Sequence, residues 1–457
     1  MAARLIDGLA TTNALSELFS DTSVLQAMLD FEIGLARAEA RIGIVPLAAA
    51  DAIAAAAKPD AFDPDQLAND GLRAGALPIA LVKALTEVVR GRDIAAAGFV
   101  HWGATSQDVA DTALVLLLKR AQPLLESDLE RLDAALRALA EAHADTVMLG
   151  RTLLQAAPPT TFGLKAAGWL GSIRRSRARL TAAFGEALLV QFGGATGTLA
   201  ALGQHGIAVG RELAKELGLG FPDAPWHSHR DRLAGLVCAC GILTGSLGKI
   251  ARDISLLMQT EVGEVAEPSG AGRGGSSTMP HKRNPSGSVV ALAAANRVPE
   301  LVASFLSGMV QEHERAAGNW QAEWPTVATL IQATGVAAAS MAEVAGGLTV
   351  DGERMRANID ATQGTIFAER AMMMLGEKVG RDVAHKLLDE AIRQRTTQGR
   401  RRHLRLYEVL HEMPEVSRHL DRETLRQIEA PEEYLGSADA FRRRLLSDDA
   451  DADTEKE

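Results

Sequence analysis

Apolar residues recur along this chain at steps of three and four. Leu233, Leu236, Cys240, Leu243, Leu247, Ile250, Ile254 and Leu257 keep that spacing without a break, which is the seam of a long α-helix. A second seam runs through Leu125, Leu129, Leu132, Leu136 and Leu139. A third, weaker one runs through Trp169, Ile173, Leu180, Phe184 and Leu188. Helices this long need partners along their whole length, so the pattern predicts a bundle. After Pro285, a residue suited to a first helical turn, another Ala- and Val-rich helical run begins. Period-two alternation is scarce, so the expected fold is all-α with three helical domains. An N-terminal helical domain covers residues 1–111, and a central bundle of long helices covers 112–360 with a polar loop at 270–285. A C-terminal helical domain covers 361–447, and the acidic tail 448–457 has the composition of a disordered segment.

Composition changes this picture only at the margins. The chain has 457 residues, 47% hydrophobic and 23% charged, with 4% aromatic, a globular balance that favours helices over sheets. A net charge of -10 argues against a general nucleic-acid binder, yet leaves room for a local cationic pocket and an anionic substrate. The basic run Gly399 to Arg405 lacks interleaved aromatics and reads as a solvated helical face. Cys238 and Cys240 point in different directions on a helix, so they read as small apolar residues, with neither a disulfide nor a zinc site. No charged-then-apolar leader and no run of about 18 apolar residues is visible, so a cytoplasmic protein with no membrane partner is expected.

The chemistry concentrates in three stretches. Gly274 to Pro285, "GGSSTMPHKRNP", places Ser276, Ser277, His281, Lys282, Arg283 and Asn284 on one loop. A serine is a poor base unless nearby positive charge stabilises its alkoxide, and Lys282 is placed to supply it. The glycines at 270, 272 and 275 match a dinucleotide fingerprint, but they follow a helix where that fingerprint needs a strand. They read as hinges instead. In "HWGATSQDVADTA", Thr105 or Ser106 caps a helix with Asp108 in its first turn. Hydroxyls and open N–H groups there form an anion site beside His101. In "GRTLLQAAPPTTFG", Arg151 and Gln155 fall in a turn expected to precede a proline-started helix. "HSHRDR", residues 227–232, has no second cluster at metal-ligand spacing and reads as a helix start with paired charges.

Ser276 to Asn284 fits the form S-S-x-M-P-x-K-x-N, and "GATSQD" and "GRT..Q" precede it in order. By these motifs the chain resembles the fumarase/aspartase superfamily. "LVQFGGATGTLAALG", "QEHERAAGNWQAEWPT" and "PEEYLG" are similar to its muconate-lactonising branch. The resemblance implies a homotetramer built on long helices, with each active site assembled from the three motif regions of three subunits. It implies a small polycarboxylate substrate and neither metal nor organic cofactor. The branch implies intramolecular carboxylate addition across a double bond of 3-carboxy-cis,cis-muconate, giving a carboxymuconolactone in protocatechuate breakdown. Ser276 and Lys282 would be catalytic, with either one as the direct proton carrier. His101, Thr105, Ser106, Arg151, Gln155, Ser277, Asn284 and Arg315 would bind substrate.

Eliminating lyases of the superfamily carry histidine directly after "GRT", tied to protonating a nitrogen or oxygen leaving group. Here that position is Leu153. In a lactonisation the leaving group of the reverse reaction is a carboxylate, whose pKa of about 4 lets it depart unprotonated. The leucine thus fits lactone chemistry. A sulfonated muconate, suggested by Leu153 and His229, and an adenylosuccinate-lyase-type elimination stay open as alternatives.

Overall fold

The apolar seams become helices in the computed structural model, which describes residues 5–270, 274–275, 278–279, 282–397 and 403–447. The elements that place the site are α1 (Asp21–Ile42), α2 (Ser106–Ala142), β1 (Val147–Thr152), β2 (Gln155–Thr161), α3 (Phe162–Ala187) and α4 (Gly206–Leu217). They continue as α5 (Asp231–Leu257), β3 (Val265–Ala266), α6 (Ser286–Ser307), α7 (Asn319–Gly346), β4 (Thr349–Val350) and α8 (Gly352–Ala361). The first seam lies on α5 and the second on α2, each buried along its length. The third lies on α3 and ends at Phe184, because Leu188 falls past the last helical residue. The fold is all-α, with short strands as accessories.

Residues 147–161 depart from the expectation. They form an antiparallel hairpin, β1 against β2, and Pro158 and Pro159 sit within β2 instead of starting a helix. In a two-stranded ribbon both strands are edges, so prolines lacking an N–H are tolerated there. The register slips between Leu149 and Gly150. A side chain at Gly150 would put its Cβ 2.4 Å from the Pro158 carbonyl oxygen, so only glycine admits this bulge. Helix α3 starts after the strand, where Thr161 Oγ1 accepts the Leu164 N–H at 3.1 Å.

Two compact units are assembled from non-consecutive segments. The first comprises Met1–Glu130, Arg175–Lys249 and Val289–Met341, and the second comprises Arg131–Arg174, Ile250–Ser288 and Ala342–Glu457. Every boundary falls inside a long helix, so α2, α3, α5, α6 and α7 each contribute residues to both.

In the first unit, Leu25, Met28, Phe31 and Leu35 of α1 share a core with Leu116 and Leu117 of α2 and Val209 and Leu213 of α4. Gly34 lets α4 come close, since an added Cβ would lie 3.1 Å from Leu217. The Lys119 ammonium donates to the carbonyls of Leu217 and Gly218 at 3.0 and 2.8 Å, placing a cation at the negative end of α4. In the second unit, Val147 and Leu149 of β1 pack with Ile359, Ile366 and Phe367. Trp169 Nε1 donates to Asp253 at 2.9 Å, and Phe162 meets the Trp169 ring edge-on.

Two acids interrupt the apolar stripe of α1. Glu32 is 1% exposed and Glu39 is fully buried. Burial, reinforced by the nearby Glu32 carboxylate, pushes the Glu39 carboxyl up to about 9, so it stays protonated at neutral pH. The folded protein then holds a proton that the unfolded chain releases above pH 4.5. Stability should decline between that pH and about 9, by up to about 1.4 kcal/mol per pH unit. Replacing Glu39 by Gln should remove this decline in urea-unfolding curves taken from pH 5 to pH 9. An unchanged pH slope would show that Glu39 ionises normally.

Candidate active site

The first unit contributes the turn that leads into α2. Thr105 immediately precedes the helix, and its N–H donates to Asp108 Oδ2 at 3.0 Å. The Asp108 N–H returns to the Thr105 carbonyl at 2.9 Å. Asp108 is fully buried and also accepts the N–H groups of Gly193 and Gly194, each at 3.0 Å. His227 Nε2 lies 2.7 Å from its Oδ1. Asp108 therefore spends its acceptor capacity on architecture, pinning the helix start to the glycine turn at 193–194. That turn requires glycine. Gly194 has φ 66, and a side chain there would approach the Gly103 carbonyl oxygen to 2.9 Å.

Arg315 closes over the same turn. Its Nη1 donates to Thr105 Oγ1 at 2.6 Å, its Nη2 to Ser106 Oγ at 3.1 Å and its Nε to Gln107 Oε1 at 3.4 Å. A guanidinium only donates, so both hydroxyl oxygens act as acceptors toward it and each O–H is left to point at a third group. Together with the positive end of α2 this makes a donor-rich pocket for an anion. His101 stands at the start of the turn with φ 60, its Nδ1 2.7 Å from Glu32 Oε1. Burial lowers the affinity of its imidazole for a proton, but Glu32, and then Asp108, outweigh this and the pKa is raised.

Behind the turn lies a buried ionic cluster. Arg230 is 1% exposed and donates twice to Asp111, at 2.9 and 2.8 Å, and to Glu323 through Nε at 3.0 Å. Its guanidinium also stacks 4.7 Å above the Trp226 ring. Gln107 joins the cluster to Arg315, donating to Asp111 at 3.2 Å while accepting from the arginine.

The second unit contributes the hairpin and the polar loop. Thr152 pairs with Gln155, so Leu153 and Leu154 alone make the turn, both left-handed at φ 51 and 65. Such a turn ordinarily carries Asn-Gly, and non-glycine residues there are strained by about 1 kcal/mol or more each. These two leucines are also 96% and 78% exposed. One pair below the hairpin tip, Arg151 grips Glu264 through both terminal nitrogens, at 2.9 and 2.6 Å. Asn358 adds a bond to the same carboxylate at 2.7 Å. Glu267 accepts the N–H groups of Gly287 and Ser288, both at 2.9 Å, and so caps α6. The polar loop is closed at its neck, where the Asn284 N–H donates to the Gly274 carbonyl at 2.8 Å and Gly275 bridges to Arg283. Lys282 is exposed on this loop.

Residues 9–299 match the family described as lyase, and residues 364–445 match the adenylosuccinate lyase C-terminus. The 3-carboxy-cis,cis-muconate cycloisomerase of Bradyrhizobium diazoefficiens is 48% identical, covering 97% of both chains. The nitrosuccinate lyase of Streptomyces davaonensis is 44% identical, covering 92% of this chain and 89% of its own. The crystal structure of 3-carboxy-cis,cis-muconate lactonizing enzyme from Pseudomonas putida superposes with a TM-score of 0.90 at 45% identity, covering 97% of this chain and 98% of that one. The chain belongs to the fumarase/aspartase superfamily of lyases.

In this superfamily member the first unit gathers His101, Thr105, Ser106 and Arg315 at one turn. The second unit holds Arg151, Gln155, Lys282 and Asn284, with Arg151 engaged by Glu264 and Gln155 exposed at the hairpin end. Ser276 and Ser277, with His281, lie outside the described residues. Among the described residues no group of three His, Cys, Asp or Glu gathers as metal ligands. "HSHRDR" supplies His227 to Asp108 and Arg230 to the ionic cluster, whereas His229 is exposed. Sequence reasoning passed over Glu32 and Glu264. Glu32 was detectable, because it falls in phase with Leu25, Met28 and Leu35 on the buried stripe of α1. Glu264, read from sequence, is an ordinary acid after a helix, and only folding reveals its arginine.

Arg230→Met should leave two buried carboxylates without their cation and lower the unfolding free energy by about 3–5 kcal/mol. A further change of Asp111 to Asn and Glu323 to Gln should recover much of that loss. Chemical denaturation of the single and triple variants checks both, and a loss under 1 kcal/mol for Arg230→Met would contradict the ionic account.

Proposed function

We propose that this protein is a cycloisomerase that closes 3-carboxy-cis,cis-muconate into a carboxymuconolactone. The observation that carries this reading is the apolar hairpin tip. Leu153 occupies the place where an eliminating lyase needs a proton donor for its leaving group, and a carboxylate needs none. The donor-rich turn at Thr105, Ser106 and Arg315 supports an anionic substrate, and so does His101 with its raised pKa.

In the proposed reaction one substrate carboxylate oxygen adds to an alkene carbon, forming a C–O bond. The π pair moves toward the neighbouring carboxyl-bearing carbon, passing through an enolate-like aci-carboxylate. Ser276 gives that carbon a proton and regains one from solvent, with Lys282 lowering its pKa. Lys282 and Asn284 stabilise the developing charge, an electrostatic contribution that commonly dominates. Thr105, Ser106 and Ser277 hold one carboxylate, while His101, Arg151, Gln155 and Arg315 offset the others.

The working form is a cytoplasmic homotetramer in which one copy's hairpin tip meets another copy's helix turn. Helix α6 supports this. Only 22% of its most apolar stretch is buried within the chain, leaving Val289 54% and Leu306 41% exposed. Asn296, Arg297 and Glu300 are exposed midway along it, which suits a helix bundle better than a bilayer. Sedimentation equilibrium should return about four times the 48.4 kDa chain mass, and a monomer at working concentration would overturn the shared-site arrangement.

Ultraviolet absorbance of the muconate diene tests the reaction itself, with nitrosuccinate, adenylosuccinate and a sulfomuconate run alongside. Rapid loss of the carboxymuconate signal is expected, and Ser276→Ala should slow it by about 10²–10⁴-fold. Turnover of another of these substrates in its place would reassign the activity. Near-normal turnover by Ser276→Ala would move the proton-carrier role to Lys282.

A further inference from the structure

The buried acids of α1 have no part in the proposed chemistry, yet one of them touches its site. Glu32 and Glu39 lie seven residues apart, two turns along the same buried face. Glu32 Oε1 meets His101 Nδ1 at 2.7 Å. Its other oxygen and both oxygens of Glu39 have no hydrogen-bond partner among the described residues. Burying an acid in an apolar core is costly unless something is gained. A left-handed histidine is likewise unfavourable unless its surroundings hold it there. The two costs meet at one contact.

We infer that Glu32 is a positioning residue for substrate binding: it takes the Nδ1–H of His101, which orients the ring and leaves Nε2 to face a substrate carboxylate. This rests on the reading of His101 as a substrate ligand. A histidine's free nitrogen is set by what the other nitrogen bonds, and a carboxylate at Nδ1 selects the form with a proton there. The charged groups that act on the imidazole are Glu32 from α1 and Asp108 from α2. Glu39 lies behind Glu32, and because it remains protonated at neutral pH it adds no second negative charge to the stripe. Within the turn, Arg315 and the two hydroxyls set the position of the bound anion, and His101 adds a cation whose charge depends on Glu32.

The test uses the full-length protein carrying ¹³C-labelled histidine, with the His101 resonance assigned by its loss in His101→Gln. Glu32→Gln keeps the shape of the side chain but removes its charge. It should lower the His101 titration midpoint by about one pH unit or more. Between the wild-type and variant midpoints it should raise KM for carboxymuconate about ten-fold with a smaller change in kcat, and below the variant's own midpoint KM should return toward wild type. Glu32→Asp, which keeps the charge, should retain most of the midpoint. An unmoved midpoint in Glu32→Gln overturns the proposal and needs no substrate to be seen. A moved midpoint with KM unchanged at every pH overturns it as well, because His101 would then take no part in binding. Failure of the wild type to consume carboxymuconate would instead count against the proposed reaction, since the resonance titration is independent of it.

Discussion

The donor pocket at the start of α2 depends on where one fully buried carboxylate, Asp108, directs its oxygens. Thr105, Gly193, Gly194 and His227 all converge on it. A carboxylate removed from water must be satisfied inside the protein, and these donors do so only when the glycine turn and the helix start are in register. Within that fixed turn Arg315 donates to the Thr105 and Ser106 hydroxyl oxygens. The donors gathered at this turn thus follow from how a buried negative charge is paired. The positive end of α2 adds to them without any side chain.

A similar logic recurs through the first unit. Arg230 neutralises Asp111 and Glu323, and Gln107 connects that cluster to Arg315. Buried ion pairs of this kind are weak sources of net stability, but they penalise every misaligned packing in which a charge would be stranded. Polar contacts of this kind tie the helices at fixed points, as Lys119 also does at the end of α4. Between such points the interfaces are made largely by small and aliphatic residues. Against α6, for instance, a Cβ at Gly248 of α5 would come within 2.6 Å of Ala295.

The second unit treats its motif differently. Its hairpin places two leucines in a conformation that favours glycine and exposes both to solvent. Next to that turn, the bidentate bond from Arg151 to Glu264 anchors the end of the first strand. The polar loop is tied at its neck by Asn284 and Gly274, and Glu267 secures the helix that follows.

The long helices were legible from periodicity alone, because a seam of apolar residues every three or four positions has only one stable burial. The helix cap at Thr105 and Asp108 was legible too, since capping is local chemistry among neighbouring residues. The hairpin at 147–161 was not: its prolines resemble a helix start, and only pairing between two edge strands makes them acceptable. Glu32, Glu264 and the partners of Arg230 escaped for a related reason. An acid's neighbour in sequence says little about its neighbour in space, and the contacts that matter join residues 69, 113 and 119 positions apart. The sequence by itself determined an all-α chain of long helices and the superfamily to which its three motifs belong. Only the tertiary structure decided which acids pair with which cations, because long-range electrostatic partners are chosen by packing and not by spacing along the chain.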